Sequence, residues 1–195
     1  LERQRLGVLI ADVAGKGMPA ALLVHKMQGI VQSTKSRETT SSSILTKLQE
    51  NLAVTLPPEL FVTAASMVFD LRLRQVQISN AGHVPVLLKR GGSVRKIKPN
   101  GIWVGPGSVG MFEKHLEMVN LDLKKNDVFF MFTDGALEAA DGKGREFGIN
   151  RIRKLLATAP GNARKVVKQC LDEITQFSGS VAQVDDITSV AVRIL

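Results

Sequence analysis

Hydrophobic and polar positions follow different periods in successive parts of this chain. The apolar run 6–10 contains no charge and reads as a buried strand, with Asp12 at its end. Gly15 and Gly17 turn the chain, and Pro19 opens a helix, where its missing N–H costs nothing. Leu23, Met27, Ile30 and Val31 recur at helical spacing and predict a helix over 20–32, packed on a sheet. The Ser/Thr-rich stretch 33–43 predicts a loop, with Ser43 capping a second helix that carries Ile44, Leu45, Leu48 and Leu52.

Beyond Pro57 and Pro58 the pattern becomes strand-like. Residues 61–71 are rich in β-formers, and Val76 and Ile78 alternate with polar neighbours. The runs 86–88 and 94–97 flank Arg90-Gly-Gly-Ser93, a hairpin signal. Runs 113–121 and 128–132 predict two more strands, and the glycine-rich stretch 101–110 predicts a loop over one sheet edge. Helical spacing returns over 150–157. Pro160-Gly161-Asn162 interrupts it, with Asn162 placed to cap a further helix carrying Val167, Cys170, Leu171 and Ile174. Residues 185–194 close the chain as a strand opened by Asp185 and Asp186. Helices, then turn-linked strands, then helices and a strand argue for an α+β fold. Antiparallel sheets are expected inside and helices outside.

At 195 residues the chain can fill one domain. No run approaches the ~18 apolar residues of a membrane span. The start, Leu1-Glu-Arg-Gln-Arg, lacks the apolar region of a signal peptide. One cysteine excludes an internal disulfide, so a reducing, cytoplasmic setting is expected, with Cys170 as core filler. The net charge of +8 is spread out, with a modest cluster at Lys143, Arg145, Arg151, Arg153 and Lys154. Without tyrosine and with few aromatics, the chain lacks the stacking platforms of single-strand binders. No nucleic-acid partner is expected; a phosphorylated or acidic protein fits the charge equally well.

Three acids from distant parts of the sequence share one kind of position. Asp12 and Asp134 follow predicted strands, and Asp185 precedes one. Such carboxylates can converge at one end of a sheet, where hard oxygen ligands without His or Cys favour Mg²⁺, Mn²⁺ or Ca²⁺. Three unrelated strand-edge acids remain the alternative. Gly15-Lys-Gly17 is no P-loop, because Ile10 stands where its first glycine belongs and Gly17 where Ser or Thr belongs. No metalloprotease helix or nucleophile elbow occurs, and Cys170 has no phosphate-cradling loop. His25 receives no role.

Six motifs occur in order. They are Asp12-Val-Ala-Gly-Lys-Gly-Met-Pro-Ala-Ala-Leu22, Phe61-Val-Thr63, Asn80-Ala-Gly-His-Val-Pro85, Phe132-Thr-Asp-Gly-Ala-Leu-Glu-Ala139, Glu146-Phe-Gly148 and Asp185-Asp-Ile-Thr188. Together, across nearly the whole chain, they resemble the bacterial RsbU/SpoIIE-type serine phosphatases of the PPM (PP2C-like) metal-dependent family. The resemblance implies an αββα sandwich of two antiparallel sheets flanked by helices, over residues 1–195. It implies two Mn²⁺ or Mg²⁺ ions and hydrolysis of phosphoserine or phosphothreonine by a metal-activated water. It implies Asp12 as the acid bridging both metals, the Val13 carbonyl on one of them, and Asp134 and Asp185 on the other. Asp186 falls where a supporting polar residue is usual, and Asn80 and His83 fall in a signature of structural character. The implied substrate is a phosphorylated STAS-type anti-sigma-factor antagonist or a similar phosphoprotein, with a sensor domain upstream in the parent chain. A further family acid, in a Gly-Asp motif, would lie before Leu1, so the first strand is expected to be missing. The alternative expectation is a catalytically impaired binding or regulatory module. Ala14 stands where the eukaryotic branch has a histidine, so that general acid has no counterpart.

Overall fold

The computed structural model describes residues 4–34, 36, 38–159 and 161–195. The expectations at the extreme N-terminus, at Lys35 and Arg37 and at Pro160 lie outside the described residues. The contacts divide the chain into two compact units. The first comprises Leu1–His83 and Lys98–Leu123, the second Val84–Ile97 and Lys124–Leu195.

In the first unit, strands β1 (Arg5–Val13), β2 (Val62–Asp70), β3 (Gln75–Ala81) and β6 (Met118–Asp122) form an antiparallel sheet in the order β1-β2-β3-β6. Helices α1 (Met18–Ser33) and α2 (Ser41–Leu52) pack on it. Leu23 and Met27 of α1 join Leu45, Leu48 and Leu52 of α2 over Val62 and Ala64, as the helical spacing predicts. The expectation of a buried first strand needs correction. β1 lies at the sheet edge, Ile10 alone of its residues is buried, and Leu6 is 47% exposed. An apolar run specifies a strand but not which strands flank it.

Two local corrections follow. Thr40, not Ser43, caps α2: its hydroxyl accepts the Ser43 N–H at 3.0 Å, while the Ser43 hydroxyl accepts the Thr40 N–H at 2.9 Å. The strand expected over 113–121 is only half a strand. Helix α3 (Val109–His115) occupies its first part, with Ser108 at the cap, Phe112 buried and Lys114 and His115 in the last turn, where cations suit the helix dipole. Within the predicted 101–110 loop, Val104 bonds Val62 in both directions, at 2.7 and 2.9 Å.

The second unit holds the other antiparallel sheet, of β4 (Val86–Arg90), β5 (Ser93–Ile97), β7 (Val128–Phe132) and β8 (Ser189–Arg193), in the order β5-β4-β7-β8. The hairpin β4–β5 forms as its glycines predict, with Gly91 at φ +60°. Helices α5 (Gly148–Thr158) and α6 (Ala163–Ser178) cover this sheet with Ile152, Leu155, Val166, Cys170 and Ile174. Asn162 caps α6 as expected, accepting the Lys165 N–H at 3.1 Å. Burial pushes the Cys170 thiol up to about 12, which suits a core residue. The final strand begins later than expected, at Ser189, so Asp185 and Asp186 sit in the loop before it. The basic cluster is largely engaged within its own unit. Arg151 lies over the Phe147 and Phe177 rings, Arg145 bonds Asp141, and Arg153 donates to the Val94 carbonyl.

Candidate functional site

Asp134 leaves the most buried strand of the molecule. All five residues of β7 are buried, and the Phe130 and Phe132 rings stack at 5.6 Å. Immediately after it, Thr133 clasps the loop that carries Asp185 and Asp186. Its N–H donates to the Thr188 carbonyl, its hydroxyl donates to the Asp186 carbonyl, and that hydroxyl accepts the Thr188 N–H, each at 3.0 Å. Gly135 permits the approach: a Cβ there would stand 2.5 Å from the Asp186 carbonyl oxygen. Asp134 and Asp185, far apart in sequence, thus have carboxylate oxygens within 4.8 Å of each other. The Asp185 carboxylate also accepts the Asp186 N–H, at 2.8 Å, which fixes its orientation.

Asp134 opens the short helix α4 (Gly135–Glu138) without using its side chain as a cap. One oxygen, Oδ1, is buried and has no hydrogen-bond partner. A buried carboxylate oxygen left unsatisfied is costly unless a cation or donor meets it. The sequence reading passed over Glu138, four residues on and so on the same helix face. Burial pushes its carboxyl above the usual range, and the nearby carboxylates of Asp134, Asp185 and Glu146 push it further. Its position inside the Phe132–Ala139 motif, one turn from Asp134, was the available signal. Two carboxylates within 4.8 Å of each other, one oxygen of them buried and unpartnered, form a donor set that fits a hard divalent cation.

In the first unit, Asp12 is the penultimate residue of β1, opposite Thr63 in register, and Val13 is opposite Val62. The Thr63 hydroxyl and His83 Nδ1 share a hydrogen bond of 2.7 Å, and the His83 N–H donates to Asn80 Oδ1 at 2.8 Å. His83 is 2% exposed. Its motif therefore braces the strand beside Asp12, in keeping with the structural character expected of it. After Val13 the Ala14 N–H donates to the Phe61 carbonyl at 2.9 Å, and Gly15 and Gly17 turn the chain at φ +132° and +79°. Asp12 and Val13 thus belong to the first unit, and Asp134, Asp185 and Asp186 to the second.

A sequence model of the family described as Stage II sporulation protein E (SpoIIE) matches residues 2–195. The phosphoserine phosphatase RsbU of Bacillus subtilis (strain 168) is 22% identical over 197 residues, which cover 98% of this chain and 56% of RsbU. The chain thus spans about half the length of this curated relative. Among solved structures, the PP2C phosphatase domain of SpoIIE from Bacillus subtilis, with a fragment of its regulatory domain, superposes with TM-score 0.82 at 20% identity. It covers 97% of this chain and 55% of that one. RsbX in complex with magnesium superposes with TM-score 0.71 at 15% identity, over 98% of this chain and 82% of that one. The fold is therefore the PP2C-like α+β architecture that the motifs led us to expect, two antiparallel sheets with helices.

Proposed function

Since this chain belongs to the Stage II sporulation protein E (SpoIIE) family, we propose that it hydrolyses phosphoserine or phosphothreonine on a regulatory protein, with divalent cations held by Asp12, Asp134 and Asp185. The observation that carries this reading is the buried, unpartnered Oδ1 of Asp134 within 4.8 Å of an Asp185 carboxylate oxygen. Two carboxylates so placed repel each other in the absence of positive charge and attract a hard cation strongly. On this reading Asp12 and the Val13 carbonyl are further oxygen donors, and Asp186 supports Asp185 through its backbone. The ions of this reading are Mn²⁺ or Mg²⁺; the similar structure of RsbX is a complex with magnesium.

A bound pair of divalent cations supplies Lewis acidity, making a water acidic near neutral pH and offsetting charge on the phosphoryl oxygens. The chain's own residues do the rest. Thr133 and Gly135 hold the Asp134 and Asp185 carboxylates in one arrangement, so no reorganisation is needed during reaction. No side-chain nucleophile is needed, and the single cysteine is buried with its thiol pushed up to about 12. The substrate we infer is a phosphorylated STAS-type anti-sigma-factor antagonist or a protein like it, in the cytoplasm. The net charge of +8 favours such an acidic partner. Among the described residues no helix is long and apolar enough to cross a membrane.

Hydrolysis of p-nitrophenyl phosphate with and without Mn²⁺ tests the reading. Turnover that depends on Mn²⁺ and leaves no phospho-enzyme by mass spectrometry is expected. Calorimetric Mn²⁺ binding without turnover would replace the enzyme with a phosphoprotein-binding module.

A further inference from the structure

In the first unit Phe69 and Phe112 are buried, but the tryptophan and one phenylalanine are displayed to solvent, which folding alone does not call for. Trp103, the sole tryptophan, is 54% exposed, and Phe61 beside it is 37% exposed, with ring centroids 5.5 Å apart. Met111 and Ile102 add exposed apolar surface. The loop carrying Trp103 is pinned on every side. A Cβ on Gly101 would stand 1.9 Å from the Asn80 carbonyl oxygen, and one on Gly82 would stand 3.1 Å from the Trp103 nitrogen. Val104 pairs with Val62 in both directions, and the buried Gln49 amide bonds the Gly105 N–H and carbonyl, each at 2.9 Å. A rigidly held, exposed Trp is the kind of residue that anchors a partner, because little entropy is lost when it is covered.

The same segment is joined to the turn after Asp12. The Phe61 carbonyl accepts the Ala14 N–H at 2.9 Å, and a Cβ on Gly15 would stand 2.9 Å from the Leu60 side chain. Lys16, exposed in that turn, adds a cation, and α1 begins with no acidic residue in its first turn. An apolar platform, a lysine and the proposed ligand Asp12 thus lie on one continuous stretch of backbone contacts.

We propose that Trp103 and Phe61 are the specificity-determining surface of this phosphatase, docking an apolar side chain within a few residues of the phosphoserine. The occupant is the phosphorylated segment of the substrate protein. This rests on the phosphatase reading, so the test separates the two. Short phosphoserine peptides are compared, one flanked by leucine and one by glycine, with p-nitrophenyl phosphate as a substrate too small to reach the platform. The chain is expected to prefer the leucine-flanked peptide by roughly tenfold in kcat/KM, mainly through KM. In Trp103→Ala the ratio of leucine-flanked to glycine-flanked kcat/KM should approach one, and Trp103→Phe should retain most of it. As Trp103 is the only tryptophan, its emission reports docking without turnover. A leucine-flanked peptide carrying a non-hydrolysable phosphonate should move that emission to shorter wavelength, and its glycine counterpart should not. Equal rates for the two peptides, or an unmoved emission, would overturn the platform while Mn²⁺-dependent hydrolysis of p-nitrophenyl phosphate leaves the phosphatase standing. Shifted emission without any hydrolysis would sink the phosphatase and keep the platform as a peptide-binding surface.

Discussion

Asp12 and Asp134 are delivered on opposite terms. β7 is a central strand with every residue buried, and the Asp134 that follows it is fastened through Thr133 to the Asp186–Thr188 loop. β1 is an edge strand with one buried residue, and its Asp12 is followed by a two-glycine turn and a helix that buries only Leu23 and Met27. Bracing near Asp12 comes from outside the strand, through Thr63, His83 and Asn80. Strand burial is therefore not what positions a strand-end carboxylate. Hydrogen bonds from neighbouring segments can do it, from adjacent strands at a sheet edge or from a loop at its centre.

The largest expected effect breaks or confirms that contrast at the acids themselves. Asp134→Asn should lower kcat/KM for p-nitrophenyl phosphate in Mn²⁺ by at least ~100-fold, about 3 kcal/mol. Excess Mn²⁺ should restore only part of it, because the amide offers the ion no charged oxygen. Asp12→Asn, on the looser edge strand, should lose less and recover more with added Mn²⁺. Equal losses with equal rescue would show that both acids are held alike.

Stability should divide differently. Leu23→Ala removes a core side chain that anchors α1 and should cost ~2–3 kcal/mol by urea denaturation. Thr133→Val leaves the Asp186 carbonyl and Thr188 N–H without their hydroxyl partner and should cost ~1–2 kcal/mol. Its Mn²⁺ affinity, measured by calorimetry, should fall as well. A Thr133→Val protein with unchanged Mn²⁺ affinity would mean that the clasp stabilises the second unit without orienting its acids.

The smallest effect concerns a turn peculiar to the second unit. Hydrogen bonds from the Arg145 side chain and backbone hold the Asp141 carboxyl down to about 2, below its ordinary 3.8. Because the folded value is the lower, this contribution is complete above the unfolded value and disappears as pH falls from ~4 towards 2. The amide resonances of Lys143 and Arg145, whose N–H groups donate to Asp141 Oδ1 at 2.9 and 3.0 Å, should shift over that window. Asp141→Asn should remove the transition.

Much of the candidate site was legible because its signals are local. Asp134-Gly135 follows an uninterrupted apolar run, Asn162 precedes a helical period, and the glycines at 91 and 92 join two alternating strands. Each is a preference of a few adjacent residues, and each is found where it was expected. The six ordered motifs pointed to the family and hence to the fold. Glu138 went unnoticed because an acid on an exposed helical turn resembles a solvated one until its neighbours are known.

Other features depended on partners remote in sequence. Residues 109–115 could alternate as a strand or cap as a helix, and Ser108 together with the burial of Phe112 selected the helix. β1 carries an apolar run fit for a sheet centre, yet its place at the edge follows from pairing with β2 alone. The meeting of Asp134 with Asp185 is set by hydrogen bonds spanning more than fifty residues and by a glycine without which the two backbones would collide. The chain's own periodicities determined which segments are helix or strand and where carboxylates leave them. Only tertiary structure decided which strand is central, which acid is fastened and which aromatic stays in water. Those outcomes depend on close contacts between groups that local preference cannot bring together.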